Sequence, residues 1–235
     1  MRFSGEIKLI IMKQIIEVKN LTKSFVDGPV ITHVLKGLDF EIYEGEFVAI
    51  MGRSGAGKST LLYQMSLLDN PTNGSIKLNG RIVDNLSNEE KTKLRLSELG
   101  YVFQDYSLLP ELTAAENIMV PLLMQGLSIN TARSRAMAAL VSVDLDHRAN
   151  NLPSELSGGE QQRVSVARAI THKPRILFAD EPTANLDSFS SNTVIEIFKK
   201  LNKEDKLTIV MVTHEDEYGK LADRIIHLSD GLIVK

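Results

Sequence analysis

The run GRSGAGKST, from Gly52 to Thr60, carries the clearest chemistry in the chain. Gly52, Gly55 and Gly57 let backbone N–H groups turn inward around an anion with no Cβ in the way. Lys58 adds a point charge, and the Ser59 hydroxyl is of the kind that ligates a divalent cation beside a phosphate. An apolar stretch, FVAIM, precedes the run and LLYQM follows it, which is the strand–loop–helix setting that the Walker A pattern requires. Gly52, Ser54, Gly55, Ala56, Gly57, Lys58, Ser59 and Thr60 are therefore expected to cradle the phosphates of a nucleotide.

Two acids and a second helix start extend this chemistry. Asp180 closes the apolar run RILFAD, where a carboxylate at a strand's C-terminal end meets the metal through a water. Glu181 follows at once and, because strand side chains alternate, is expected to point elsewhere, beside the γ-phosphate as a general base. In SELSGGEQQRVSVARA, Ser154 to Ala169, a serine and paired glycines open a helix, which also favours an anion.

Three regions must position these groups. In the first third, QIIEVKNLTKSF, HVLKGLDFEIYEGEFVAIM and GSIKLNGRIV alternate apolar and polar residues like short strands, with Gly, Asn and Asp at the bends. SINTARSRAMAALVSVDLD is helical, with Met137, Leu140 and Val141 on one face and Ser128 or Asn130 as cap. Towards the end, RILFAD and LTIVMVTH read as buried strands and RIIHLSDGLIV as a hairpin about Asp230-Gly231. NTVIEIFKKLNKED sets Val194, Ile197, Phe198 and Leu201 at helical spacing. Strand–helix–strand order implies a parallel sheet with right-handed crossovers. The expected fold is α/β, with a parallel-sheet core, an N-terminal antiparallel β portion and a helical insertion at about 105–155. One unit spans 12–235, and residues 1–11 form an N-terminal extension or an upstream start.

Composition excludes several classes. With 235 residues, 43% hydrophobic and 24% charged, the chain is an ordinary globular one. A net charge of -3 and the lack of a basic stripe argue against a nucleic-acid partner. Without cysteine there is no disulfide, thiol catalysis or thiolate-held metal. IMVPLLM falls far short of the ~20 residues of a membrane span, and MRFSGEIKLIIM is too short and too interrupted for a signal peptide. The eight methionines are expected to fill gaps in the core.

LSGGE at Leu156 to Glu160, followed by QQR, resembles the signature motif of the ATP-binding cassette (ABC) ATPases, which are P-loop NTPases. The family's other motifs follow in order: Gln104 in YVFQ matches the Q-loop, ANLD at Ala184 to Asp187 the D-loop, and His214 in VMVTHE the switch histidine. Phe25 in LTKSF stands where the family stacks an aromatic on adenine; a plain core residue is the other reading. The resemblance covers about Ile15 to Val234. It implies ATP and Mg²⁺ as ligands, with Ser59, Gln104 and Asp180 about the metal and Lys58, Glu181 and His214 catalytic. On the nucleotide it places Phe25, the phosphate loop, Gln104, Ser157, Gly158, Gly159 and Asp187. His33, His147, His172 and His227 lack such a context and are read as structural. Glu160 stands where Gln is commoner in the family, Ala184 where Gly is frequent, and Phe25 where Tyr is frequent.

Such cassettes act in pairs, each ATP held between one subunit's phosphate loop and the other's signature loop. The Ser157, Gly158 and Gly159 amides are thus expected to face the γ-phosphate bound by a second copy. The other partners implied are integral membrane permease subunits, a cytoplasmic helix of which docks near Asp105 to Leu112. That would hold the protein peripherally on the cytoplasmic face of the membrane. GLDFEIYEGEFVAIMGRSGAGKST, VFQDYSLLPELTAAENIMVPLL and LDHRANNLPSELSGGEQQRV resemble the group serving lipoprotein release, macrolide export and cell-division complexes. The function implied is ATP hydrolysis driving transport or extraction, and a role in a division or signalling membrane complex stands beside it. A soluble DNA- or ribosome-acting role fits less well, for there is neither a long coiled coil between the motifs nor a second cassette on a charged linker.

Overall fold

The computed structural model describes residues 13–234; the extension expected over 1–11 lies outside the described residues. Two sheets form the frame. β1 (Gln14–Asp27), β2 (Val30–Tyr43), β4 (Asn73–Leu78) and β5 (Arg81–Ile82) make an antiparallel sheet in the order β2-β1-β4-β5. The second sheet runs β10-β9-β3-β8-β7-β6. In it β3 (Phe47–Met51), β6 (Leu99–Val102), β7 (Ile176–Asp180), β8 (Thr208–Thr213) and β9 (Arg224–Ser229) are parallel, and β10 (Leu232–Val234) returns antiparallel. Asp230 and Gly231, both at positive φ, close the β9–β10 hairpin as expected.

Every residue of β3, β7 and β8 is buried, which is why these stretches are continuously apolar rather than alternating. The helices α1 (Lys58–Met65), α5 (Gly158–Ile170) and α6 (Ser188–Asp205) cover the parallel sheet. Phe178 and Phe198 are among the largest fully buried side chains there. Helix α2 (Asn88–Ser97) leads into β6. A separate cluster joins α3 (Ala114–Met124), α4 (Ile129–Ser142) and one face of α5, with Ile118, Leu122, Leu140 and Val164 fully buried. A short helix α7 (Asp216–Gly219) follows β8.

Ser128 caps α4, accepting from the Thr131 amide. Its buried stripe differs from the expected one. Ala132, Ala136, Ala139 and Leu140 face the lobe's interior, Met137 is half-buried, and Val141 is 57% exposed. Three alanines at a close helix contact replace the larger side chains that hydrophobicity alone would favour. The methionines also divide: Met51, Met65, Met119 and Met211 are buried, whereas Met124 is exposed at the end of α3.

Truncating Leu140 leaves a cavity where α4 meets α3, so Leu140→Ala is expected to cost about 2–5 kcal/mol. Val141→Ala should stay within about 0.5 kcal/mol. Chemical denaturation of both variants checks the assignment of faces.

Candidate functional site

The carboxyl ends of β3, β7 and β8 lie side by side, and each delivers part of one site. From β3 the chain enters the phosphate loop, where Gly55 and Gly57 take φ of 79° and 99°, values costly for any other residue. A Cβ on Gly57 would also press Leu35 at 3.0 Å. Gly57 stands as N-cap of α1 with no side-chain cap, and the first turn of α1 holds no acid. Helices α2, α3 and α5 differ, since each carries a Ser/Thr–Glu capping box at its start. The amides opening α1 therefore have no carboxylate from their own helix, which suits a phosphate.

Lys58 is buried at 6% exposure and donates to the carbonyls of Gly52 at 3.0 Å and Arg53 at 3.2 Å. Its ammonium lies 3.6 Å from Glu181 Oε1. Ser59 Oγ donates to Asp180 Oδ1 at 2.9 Å, a pair of hard oxygens of the kind magnesium accepts. Among the described residues no group of three or more His, Asp or Glu could hold a metal by itself. A cation at Ser59 and Asp180 would thus need further ligands from outside the His, Asp and Glu side chains. Glu181 Oε2 lies 3.1 Å from His214 Nδ1, just past the end of β8. Lys58, Ser59, Asp180, Glu181 and His214 thus form one cluster. The divergence of the two acids does not come from strand alternation. β7 ends at Asp180, and Glu181 turns away through a left-handed backbone, φ 44°.

Ser54 and Gly55 are exposed on the loop, Ala56 is buried beneath it, and Thr60 is half-buried in the first turn of α1. Phe25 is 48% exposed near the turn joining β1 to β2, opposite Thr32, so it is not a core residue. Lys23 Nζ stands 5.0 Å from its ring centroid. Gln104, expected near the metal, is exposed and no hydrogen bond joins it to Ser59 or Asp180. Instead Tyr101, which the motifs do not single out, directs its hydroxyl at Asp180 Oδ2, 3.4 Å away. Asp187 caps α6, accepting from the amide and hydroxyl of Ser190, and the amide bond holds its carboxyl below the usual range.

The signature turn lies apart from this cluster. Ser157 caps α5, and its amide donates to Glu160 Oε2 at 2.8 Å. Of the three amides expected to face a second nucleotide, that of Ser157 is therefore already engaged. Glu160, one of the departures from family usage, has a local role: it closes the capping box and pairs with Arg148 at 3.0 Å. Gly159 must be glycine, since a Cβ would collide with Ser190 at the start of α6. His172 fits its structural reading, its Nε2 lying 3.0 Å from the Leu99 carbonyl.

Beside the end of β6 an apolar cavity of about 270 Å³ is lined by Leu68, Tyr101, Phe103, Val120, Pro121 and Met124, among others. No residue of 105–112, where the docking of a partner helix is expected, contributes to its lining.

Residues 35–184 match the sequence model of a family described as ABC transporter. The chain is 45% identical to the lipoprotein-releasing system ATP-binding protein LolD of Xanthomonas campestris pv. campestris (strain 8004), over 92% of this chain and 91% of that protein. It is 46% identical to the macrolide export ATP-binding/permease protein MacB of Bdellovibrio bacteriovorus, over 93% of this chain and 33% of that longer protein. Among solved structures, the dimeric post-hydrolysis state of the ATP-binding cassette MJ0796 bound to ADP and Pi matches with a TM-score of 0.88. It is 42% identical and covers 94% of this chain and 97% of that one; MJ0796 comes from Methanocaldococcus jannaschii.

Burial holds the Asp180 carboxyl above the usual carboxylate range, opposed by the bond from Ser59. A raised acid pKa means that the folded chain binds the proton more tightly than the unfolded one. The ionised carboxylate therefore weakens the fold above its folded-state pKa; that loss fades as pH falls through this pKa and is gone below the ordinary carboxylate range. Asp180→Asn is expected to raise the thermal midpoint of the nucleotide-free protein at about pH 7, with the gain shrinking toward about pH 3. A midpoint below that of the natural chain at neutral pH would contradict this account.

Proposed function

The chain belongs to the ABC transporter family, and on that premise we propose that its ATP hydrolysis drives transport or extraction through membrane permease subunits. It is an ATP-binding cassette and an ATPase. The observation that carries the residue roles is the convergence of Lys58, Ser59, Asp180, Glu181 and His214 at three adjacent strand ends. Lys58 turns from the loop carbonyls to the β- and γ-phosphates, and the free amides of α1 bind the same oxygens. Ser59 and Asp180 would hold Mg²⁺, which would supply charge neutralisation there. Glu181 accepts the proton of the attacking water, and His214 fixes its carboxylate. Phe25 stacks on adenine through the ring face not occupied by Lys23.

The signature turn serves a second copy in this reading. The Gly158 and Gly159 amides and the Ser157 hydroxyl hydrogen reach the γ-phosphate held by the partner subunit. A helix-terminal contact contributes only about 0.3–1 kcal/mol, so it acts as a latch that hydrolysis releases. That MJ0796 was solved as a dimer supports this arrangement. No helix among the described residues is long and apolar enough to cross a membrane. The apolar cavity beside β6 is suited to a helix of a permease, which would hold the cassette at the cytoplasmic face. Identities of 45% and 46% to LolD and MacB support lipoprotein release, or a related export, as the process served.

Glu181→Gln is expected to keep ATP binding, lose turnover by about 100-fold or more, and accumulate an ATP-bound dimer on gel filtration. Near-normal hydrolysis would remove Glu181 as the base. Ser157→Arg should abolish hydrolysis while sparing nucleotide affinity of the isolated subunit. An unaffected, monomeric ATPase would overturn the paired site.

A further inference from the structure

Gln162 is wholly buried on α5, one turn beyond the signature glycines. Its Nε2 donates to the Pro182 carbonyl at 2.7 Å and to the Phe103 carbonyl at 3.4 Å. Two carbonyl acceptors can be met only by the NH₂ end of an amide, so the orientation of the side chain is set by these partners. Its Oε1 makes no hydrogen bond.

Pro182 follows Glu181, whose φ of 44° is costly for a residue with a Cβ. Such a backbone persists only where its surroundings over-determine it. Four bonds hold the turn. The Glu181 amide donates to Val212 O at 3.0 Å, and the Ala184 amide to Glu181 O at 3.1 Å. Thr183 Oγ1 donates to Glu215 Oε1 at 2.8 Å, and Gln162 supplies the fourth bond. Pro182 is buried, so its carbonyl loses water on folding and needs a donor. Among the described residues Gln162 is that donor.

We infer that Gln162 is a positioning residue for hydrolysis: from α5 it holds the Pro182 carbonyl and so keeps Glu181 in the left-handed conformation that aims its carboxylate at Lys58 and His214. The inference rests on Glu181 as general base and adds a residue outside the phosphate cluster. Because the same amide reaches Phe103, the signature helix, the end of β6 and the Glu181 turn are tied at one point.

Gln162→Met keeps length and volume but removes both donor hydrogens. It is expected to lower kcat about 10- to 100-fold while leaving affinity for a fluorescent ATP analogue within about twofold. In a Glu181→Asp background the same change should cost less than about threefold, because the carboxylate is already displaced. Gln162→Asn keeps a donor on a shorter arm and should fold and give an intermediate kcat. Wild-type kcat in Gln162→Met, or an equal loss in both backgrounds, overturns the inference. Glu181→Gln in the same assay separates the two ideas: full turnover there removes the premise, whereas a dead Glu181→Gln beside an undisturbed Gln162→Met removes only the role of Gln162.

Discussion

A buried ammonium must be surrounded by acceptors, and the nucleotide site is organised around that requirement at Lys58. The phosphate loop meets it by turning the Gly52 and Arg53 carbonyls inward, and the Glu181 carboxylate approaches from the end of β7. Loop shape and acid position are thus coupled through one nitrogen. Phosphate oxygens would compete for the same ammonium, and each bond gained there loosens the hold of Lys58 on Glu181. The carboxylate then remains tied to His214, just past the end of the neighbouring strand β8.

The two helix starts proposed to meet an anion differ in their own electrostatics. At α1 no acidic side chain offsets the positive end of the helix. At α5 the carboxylate of Glu160 sits on the capping turn, and the Ser157 bond keeps that carboxyl below the usual range, hence charged. An anion arriving at the signature turn meets fewer free amides and a resident negative charge. The start of α1 thus offers a phosphate a stronger hold than the start of α5 does.

Much of this was legible in the residues themselves. Strands buried on both faces leave continuous apolar runs, which is why β7 and β8 could be read directly. Glycine spacing in the phosphate loop reports backbone angles that only glycine adopts cheaply. The misreadings share another cause. Val141 outranked Ala132 and Ala136 in hydrophobicity, yet α4 packs too closely for large side chains on its inner face. The direction of Glu181 depended on a single dihedral angle, which alternation along a strand does not foresee. Tyr101 and Gln162 owe their roles to partners 79 and 20 residues away, a proximity created only by the sheet order and by the seating of α5.

The complete burial of β3, β7 and β8 has a consequence for motion. Amides in these central strands exchange with solvent only when much of the molecule opens, whereas the loops at their ends open locally. The loops can therefore change shape many times without disturbing the strands that place them. Ligand binding would therefore add protection in two tiers, locally by holding the loops closed and globally in the strands by stabilising the folded state as a whole.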